Sequence, residues 1–246
     1  MESKYFYDEI SGFYGKMIDF EKNLKLRIDS YKNIFPVPGR VADIGCGIGL
    51  DSIALAQNRH TVYAFDPSTK MIEQTKRNSA KYNLDITAQV ESFETLSNKY
   101  KEYFDYVVSV GNTIAHLSVK QLYTAIKTVH NILKPGGKVF LHILNYDLIL
   151  HESKRINNIA VRDGLAIIRF YDLARTKIKF NILSFSVEKP RDFKLVTTFH
   201  YPHSHLQIKH FLINAGFTKI KLNSNFHGDK FEPKNSKDIF IEAYKK

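Results

Sequence analysis

Apolar residues recur at helical spacing from Tyr5 to Phe35, with Tyr7, Ile10, Phe13, Tyr14 and Met17 on one face, and stop at Pro36-Val37-Pro38-Gly39. Beyond that breaker the pattern switches repeatedly between strand and helix. Val41–Ile44 reads as a short buried strand, Leu50–Arg59 as a helix and Thr61–Phe65 as a strand, and Pro67 opens a helix reaching about Tyr82. Ile86–Val90 is a further strand, and Phe104–Val110 is rich in β-branched residues. Ser118 with Gln121 spells a capping box for a helix to Leu133, and Pro135-Gly136-Gly137 turns the chain into the strand Lys138–Leu144. Strands alternating with helices at this spacing predict a mostly parallel sheet covered by helices on both faces.

The period changes after Asp147. Between Asn158 and His200 three or four β-rich runs follow one another without crossover helices, which predicts an antiparallel meander. Ser204 and Gln207 spell a second capping box, its helix ends near Gly216, and the strands Phe217–Leu222 and Asp238–Tyr244 close the chain. The expected organisation is a helical segment over 1–39, an α/β domain over 40–147 and 203–246, and an inserted antiparallel lobe over 148–202.

The 246 residues, 43% apolar and 25% charged, suit a globular fold with a sizeable core. The single cysteine, Cys46, rules out an intrachain disulfide and fits a reducing, cytoplasmic setting. No apolar run reaches the length of a membrane span, and the first residues do not read as a secretion signal. The net charge of +11 comes from lysines scattered along the chain. A nucleic-acid footprint needs clustering, so no nucleic-acid partner is expected.

The chemistry concentrates after the first strand, in Asp43-Ile44-Gly45-Cys46-Gly47-Ile48-Gly49 leading into a helix. Glycines permit a tight turn and close approach of a ligand to the backbone, and the helix start offers free N–H groups. The second strand ends at Asp66, where a carboxylate can accept the hydroxyls of a ribose. A nucleophilic role for Cys46 has no paired base in the sequence, so small-residue packing is the expected role.

VADIGCGIG and AFDPS resemble the first two motifs of class I S-adenosylmethionine-dependent methyltransferases, and FDYVVSVGN and LKPGGKVFLHI fall in their expected places. The resemblance implies a Rossmann-like, seven-stranded α/β sheet with its last strand antiparallel. It also implies S-adenosyl-L-methionine as cofactor, with Gly45, Gly47, Gly49 and Gly111 along its path. Asp43 would hold the methionine end and Asp66 the ribose. Met71 and Phe93 would sandwich the adenine with Ser92 nearby, and His116 would lie near the cofactor.

Gly47-Ile48-Gly49-Leu50-Asp51-Ser52-Ile53, Gly111-Asn112-Thr113-Ile114-Ala115-His116-Leu117, Asn145-Tyr146-Asp147 and Tyr201-Pro202-His203 are together similar to glycine and sarcosine N-methyltransferases. That likeness implies a small-molecule amine acceptor, with Asn112, Tyr14 and Tyr201 as the catalytic group and Leu144, Asn145, Tyr146 and His203 around the acceptor. Leu144 stands where the glycine enzymes carry an Arg that grips the substrate carboxylate, so an acceptor without a carboxylate is expected. The lobe arginines Arg162, Arg169 and Arg175 could replace it only if one pointed inward, and strand parity does not give that direction. The group His200, His203 and His205 has no accompanying carboxylate or cysteine, so no metal is expected. The alternatives are an aminosugar N-methyltransferase and a non-catalytic module that binds the cofactor or docks on RNA. A homo-oligomer is compatible with either enzyme reading.

Overall fold

A computed structural model describes residues 3–96 and 99–246, so Met1 and Glu2 of the N-terminal segment lie outside the described residues. The helical pattern near the start resolves into α1 (Ser3–Ile18) and α2 (Phe20–Ile34). The sequence reads as one helical run because the apolar spacing continues across the break. Asp19, however, adopts φ 53°, a left-handed conformation that ends α1.

The alternating region follows as β1 (Arg40–Ile44), α3 (Leu50–Gln57), β2 (Thr61–Asp66), α4 (Thr69–Lys81), β3 (Ile86–Val90), α5 (Phe93–Leu96), β4 (Phe104–Ser109), a 3-10 turn (Thr113–His116), α6 (Val119–Ile132), β5 (Leu133–Leu144) and α7 (Tyr146–Glu152). The antiparallel strands are β6 (Ile156–Arg162), β7 (Leu165–Asp172), β8 (Ile178–Ser186) and β9 (Phe193–His200); α8 (His205–Asn214), β10 (Phe217–Asn223) and β11 (Asp238–Lys245) end the chain. The main sheet has seven strands in the order β10-β11-β5-β4-β1-β2-β3, with β11 antiparallel to both neighbours. Its two faces carry separate cores. Ala42, Phe65, Val107, Leu122, Val129 and Leu141 belong to one, and Val41, Ile53, Leu55, Val62, Val108 and Phe140 to the other. The fold is the expected Rossmann-like α/β sheet with an antiparallel insertion.

Local signals explain most element starts. Ser118 and Gln121 form the reciprocal capping box on α6. At α8 the expected box is only half made. Ser204 Oγ accepts from the Gln207 N–H at 3.2 Å, but the Gln207 side chain turns to His203 Nδ1 instead, at 2.9 Å. Pro67 precedes α4 rather than opening it, because Ser68 is the cap and accepts from the Met71 N–H at 3.1 Å. The short helices α5 and α7 have too few residues to show a period in sequence.

The four-stranded sheet, in the order β6-β7-β8-β9, lays one face on α1. Ile167, Ile182 and Val196 pack there with Phe6, Ile10 and Met17. Asp8 on α1 accepts from Ser68 Oγ at 2.6 Å and from the Lys70 N–H at 3.2 Å, pinning α1 to the start of α4. Thus α1 is clamped between the lobe and the carboxyl ends of the parallel strands, the edge where open α/β sheets place their ligands. No helix among the described residues is long and apolar enough to cross a membrane.

Candidate active site

A cavity of about 570 Å³ opens at that edge. Gly45, Cys46 and Gly47 from the β1 turn, Asp66 and Pro67 after β2, Ser92 and Phe93 after β3, and Gly111 and Thr113 after β4 line one end. Tyr7 and Tyr14 from α1, His116, and Arg162 and Arg169 from the lobe line the rest.

The glycine turn is built for close approach. Gly45 and Gly47 take φ 79° and 56°, and a Cβ on Gly45 would sit 2.3 Å from Thr113 Cγ2. Gly49 also has positive φ, 85°, but faces Thr75 rather than the cavity. Cys46 is buried with Sγ 3.8 Å from Thr75 Oγ1; burial pushes its thiol well above the usual cysteine range, which leaves it protonated and unreactive.

Asp66 accepts the Gly47 N–H on one carboxylate oxygen and the Ser68 N–H on the other, both at 2.9 Å. Each oxygen retains a second acceptor position, so the group can still receive two ligand hydroxyls. Burial pushes its pKa up to about 7 against the pull of those two amides. The donor set, the bare glycine backbone and the adjoining Phe93 ring fit a nucleoside with a free ribose diol.

Besides Gly49, two expected cofactor contacts lie elsewhere. Met71 is fully buried among Phe6, Ile10 and Met17 and does not line the cavity; Pro67 and Phe93 do. Asp43 lies behind the turn, 1% exposed, and accepts Ser52 Oγ at 2.6 Å. Burial, with Asp51 adding repulsion, pushes its pKa up to about 8. The lining acid on that side is Asp51, paired with Arg27 at 2.9 Å and accepting Tyr31 Oη at 2.6 Å.

On the lobe side, Tyr7 Oη and His116 Nε2 are 2.9 Å apart. Burial pushes the His116 pKa down to about 4, so the ring is neutral at physiological pH. Tyr14 stacks edge-on against Tyr7 and covers Gly47; burial pushes its pKa up to about 12, which keeps its hydroxyl a donor.

The expected acceptor group is otherwise placed behind the wall. Asn112 is 8% exposed in a left-handed turn, φ 71°, and both ends of its amide are used. Oδ1 accepts the Leu144 N–H at 3.1 Å, and Nδ2 donates to Tyr146 Oη at 2.8 Å. Tyr146 Oη also meets His200 Nδ1 at 2.9 Å, and its ring is fully buried. Leu144 packs at the edge of the core rather than on the cavity. Tyr201 donates its backbone N–H to Ala115 O at 2.7 Å, and His203 Nε2 bonds to Leu117 O at 2.7 Å; neither side chain lines the cavity. His200, His203 and His205 diverge to Tyr146, Leu117 and Asp147.

Asn145 is a clip between elements. Its Oδ1 caps α7 at Leu148, and its Nδ2 donates to Pro233 O and Ser236 O, each at 2.8 Å. Asn145→Ala is expected to cost about 3 kcal/mol, a cap and two buried bonds at roughly 1 kcal/mol each. Calorimetric melting should fall by about 6–12 °C, with S-adenosylhomocysteine affinity kept within about twofold. A loss of turnover with no change in melting would place Asn145 in the pocket instead.

Arg169, Tyr7, Thr113 and Pro67 are among the lining residues that sequence reasoning left unassigned. Arg169 carried one usable signal, its two-residue spacing from Ile167 and Tyr171, but Ile168 and Phe170 make the opposite face equally apolar.

Residues 41–137 match a family model described as a methyltransferase domain. A ubiquinone biosynthesis O-methyltransferase of Xanthomonas axonopodis pv. citri (strain 306) is 32% identical over 110 residues, 45% of each chain. Glycine N-methyltransferase of Mus musculus is 30% identical over 123 residues, 45% of this chain and 42% of that one. The matched stretch therefore spans less than half the length of these curated relatives. A crystal structure of an S-adenosylmethionine-dependent methyltransferase from Clostridium acetobutylicum ATCC 824 superposes with a TM-score of 0.80 at 18% identity, covering 97% of this chain and 98% of that one. The chain has the fold of an S-adenosylmethionine-dependent methyltransferase, and its residues 41–137 are similar to a methyltransferase domain.

Proposed function

We propose that this protein is an S-adenosylmethionine-dependent methyltransferase acting on a small-molecule acceptor, with an amine nitrogen as the methylated atom. The observation that carries the reading is the single cavity joining the glycine turn and Asp66 to Tyr7, Tyr14 and His116. Cofactor and acceptor would share one continuous cavity of small-molecule size, about 570 Å³. Gly45, Gly47, Asp66, Ser92, Phe93 and Gly111 would hold the cofactor, which supplies an electrophilic sulfonium methyl. The chain's own contribution is to align the acceptor and exclude water, and α1 closes the cavity for that purpose.

Beside the lobe arginines, the acceptor end presents the neutral oxygen and nitrogen groups of Tyr7, Tyr14 and uncharged His116, which can orient an N–H and favour a neutral amine. A hydroxyl acceptor is the second reading, favoured by the Tyr7–His116 pair, which offers an imidazole to take the proton. The experiment is a panel of amines and phenols incubated with cofactor and read as S-adenosylhomocysteine release. Turnover of amines supports the first reading and turnover of phenols the second. Silence across the panel with cofactor bound argues against both.

A further inference from the structure

On the lobe side the cavity wall holds a cation that has no counter-ion among the described residues. Arg169 lies on β7 between Ile167 and Tyr171, whose side chains are 1% and 2% exposed, on the face turned toward α1. It lines the cavity, and its Nε is buried without a hydrogen-bond partner. Among the described residues no acid forms an ion pair with it, and the charged groups around the cavity have contacts of their own. Arg162 is committed to Asp19 at 3.2 Å and to the backbone oxygens of Lys16 and Met17. Among the lining acids, Asp51 pairs with Arg27, Asp66 accepts two backbone amides, Glu91 pairs with Lys99, and Glu94 accepts Ser92 Oγ. Burial and the neighbouring Arg162 both lower the proton affinity of Arg169, as expected for an unmatched cation.

We propose that Arg169 is an anion clamp in the acceptor end of the cavity, and that the methyl acceptor carries a carboxylate. The proposal rests on the methyltransferase reading above. A planar guanidinium fork matches the two oxygens of a carboxylate, and a single unmatched positive charge suits a monoanion better than a phosphate dianion. Tyr14, whose hydroxyl stays protonated, also lines the cavity and is electrostatically coupled to Arg169. The clamp comes from the inserted lobe rather than from the end of β5. Leu144 therefore does not exclude a carboxylate, contrary to the expectation drawn from the sequence.

The test uses the full chain labelled with ¹⁵N-arginine and saturated with S-adenosylhomocysteine. The Arg169 Nε–H signal is identified by its absence in Arg169→Lys. Sarcosine and benzoate are titrated against their amides. The carboxylates should move that signal saturably and the amides should not. In calorimetry Arg169→Met should weaken carboxylate binding by about tenfold or more, with S-adenosylhomocysteine affinity kept within about twofold. An unmoved signal, or amides binding as tightly as carboxylates, overturns the clamp. Failure of S-adenosylhomocysteine to bind overturns the methyltransferase reading instead, and the same titration of the free chain still decides the role of Arg169.

Discussion

Gly45→Ala should sharply weaken binding at the cofactor site. Gly45 holds φ 79°, a region that costs a residue bearing a Cβ roughly 1–2 kcal/mol. The new methyl would also lie 2.3 Å from Thr113 Cγ2 and 2.6 Å from its Oγ1. Thr113 cannot simply rotate away, because its Oγ1 donates to Val110 O at 2.8 Å and anchors the turn after β4. Overpacking adds about 1–3 kcal/mol. Both turns line the cavity, so the relaxation should displace the surfaces that meet the ligand. The expected loss in S-adenosylhomocysteine affinity is about thirtyfold or more, read by calorimetry. Adding Thr113→Ala should restore part of it, since it removes the two nearest atoms, at 2.3 and 2.6 Å. Equal affinities for Gly45→Ala and the native chain would mean that the turn does not shape the site.

Asp66→Ala should weaken S-adenosylhomocysteine binding by about tenfold or more, since each hydrogen bond to a charged group contributes about 1.5–3 kcal/mol. The native protein adds a pH signature. The Asp66 carboxyl titrates at about 7 in the folded chain, and the ionised form is the one that accepts two hydroxyls without donating. Affinity should therefore climb as pH rises through about 7 and then flatten, and Asp66→Ala should lose that rise. Stability of the free chain should move the other way. The folded-state pKa stands above the unfolded carboxylate value, so the folded chain keeps a proton that the unfolded chain releases. That contribution is full at the lowest pH and is lost as pH rises through about 7. Asp43, raised to about 8, acts in the same direction. Affinity independent of pH in the native chain would contradict the assignment of Asp66.

The parallel core was legible because each strand and helix advertises its own period, and because the Ser118–Gln121 box is closed by two residues of one helix turn. The second box read half correctly, since His203 competes for Gln207 and no local rule foresees a neighbour's demand. The glycine turn and Asp66 were legible as a strand, turn, helix, strand and acid in order. The acceptor side was not. Asn112, Asn145 and Tyr146 stand next to strand ends, where either a ligand or the chain itself can take their polar atoms. In this fold Leu144, Pro233, Ser236 and His200 take them, which only long-range packing decides. Arg169 remained ambiguous because both faces of β7 are apolar in sequence, and the docking of α1 selects the inward one.

The most direct measurement is a calorimetric titration of the full chain with S-adenosylhomocysteine, repeated on Asp66→Ala. The account predicts one site per chain in the native protein and an affinity about tenfold or more lower in the variant, with both proteins folded. No binding to the native chain, or the same affinity in both, would contradict it.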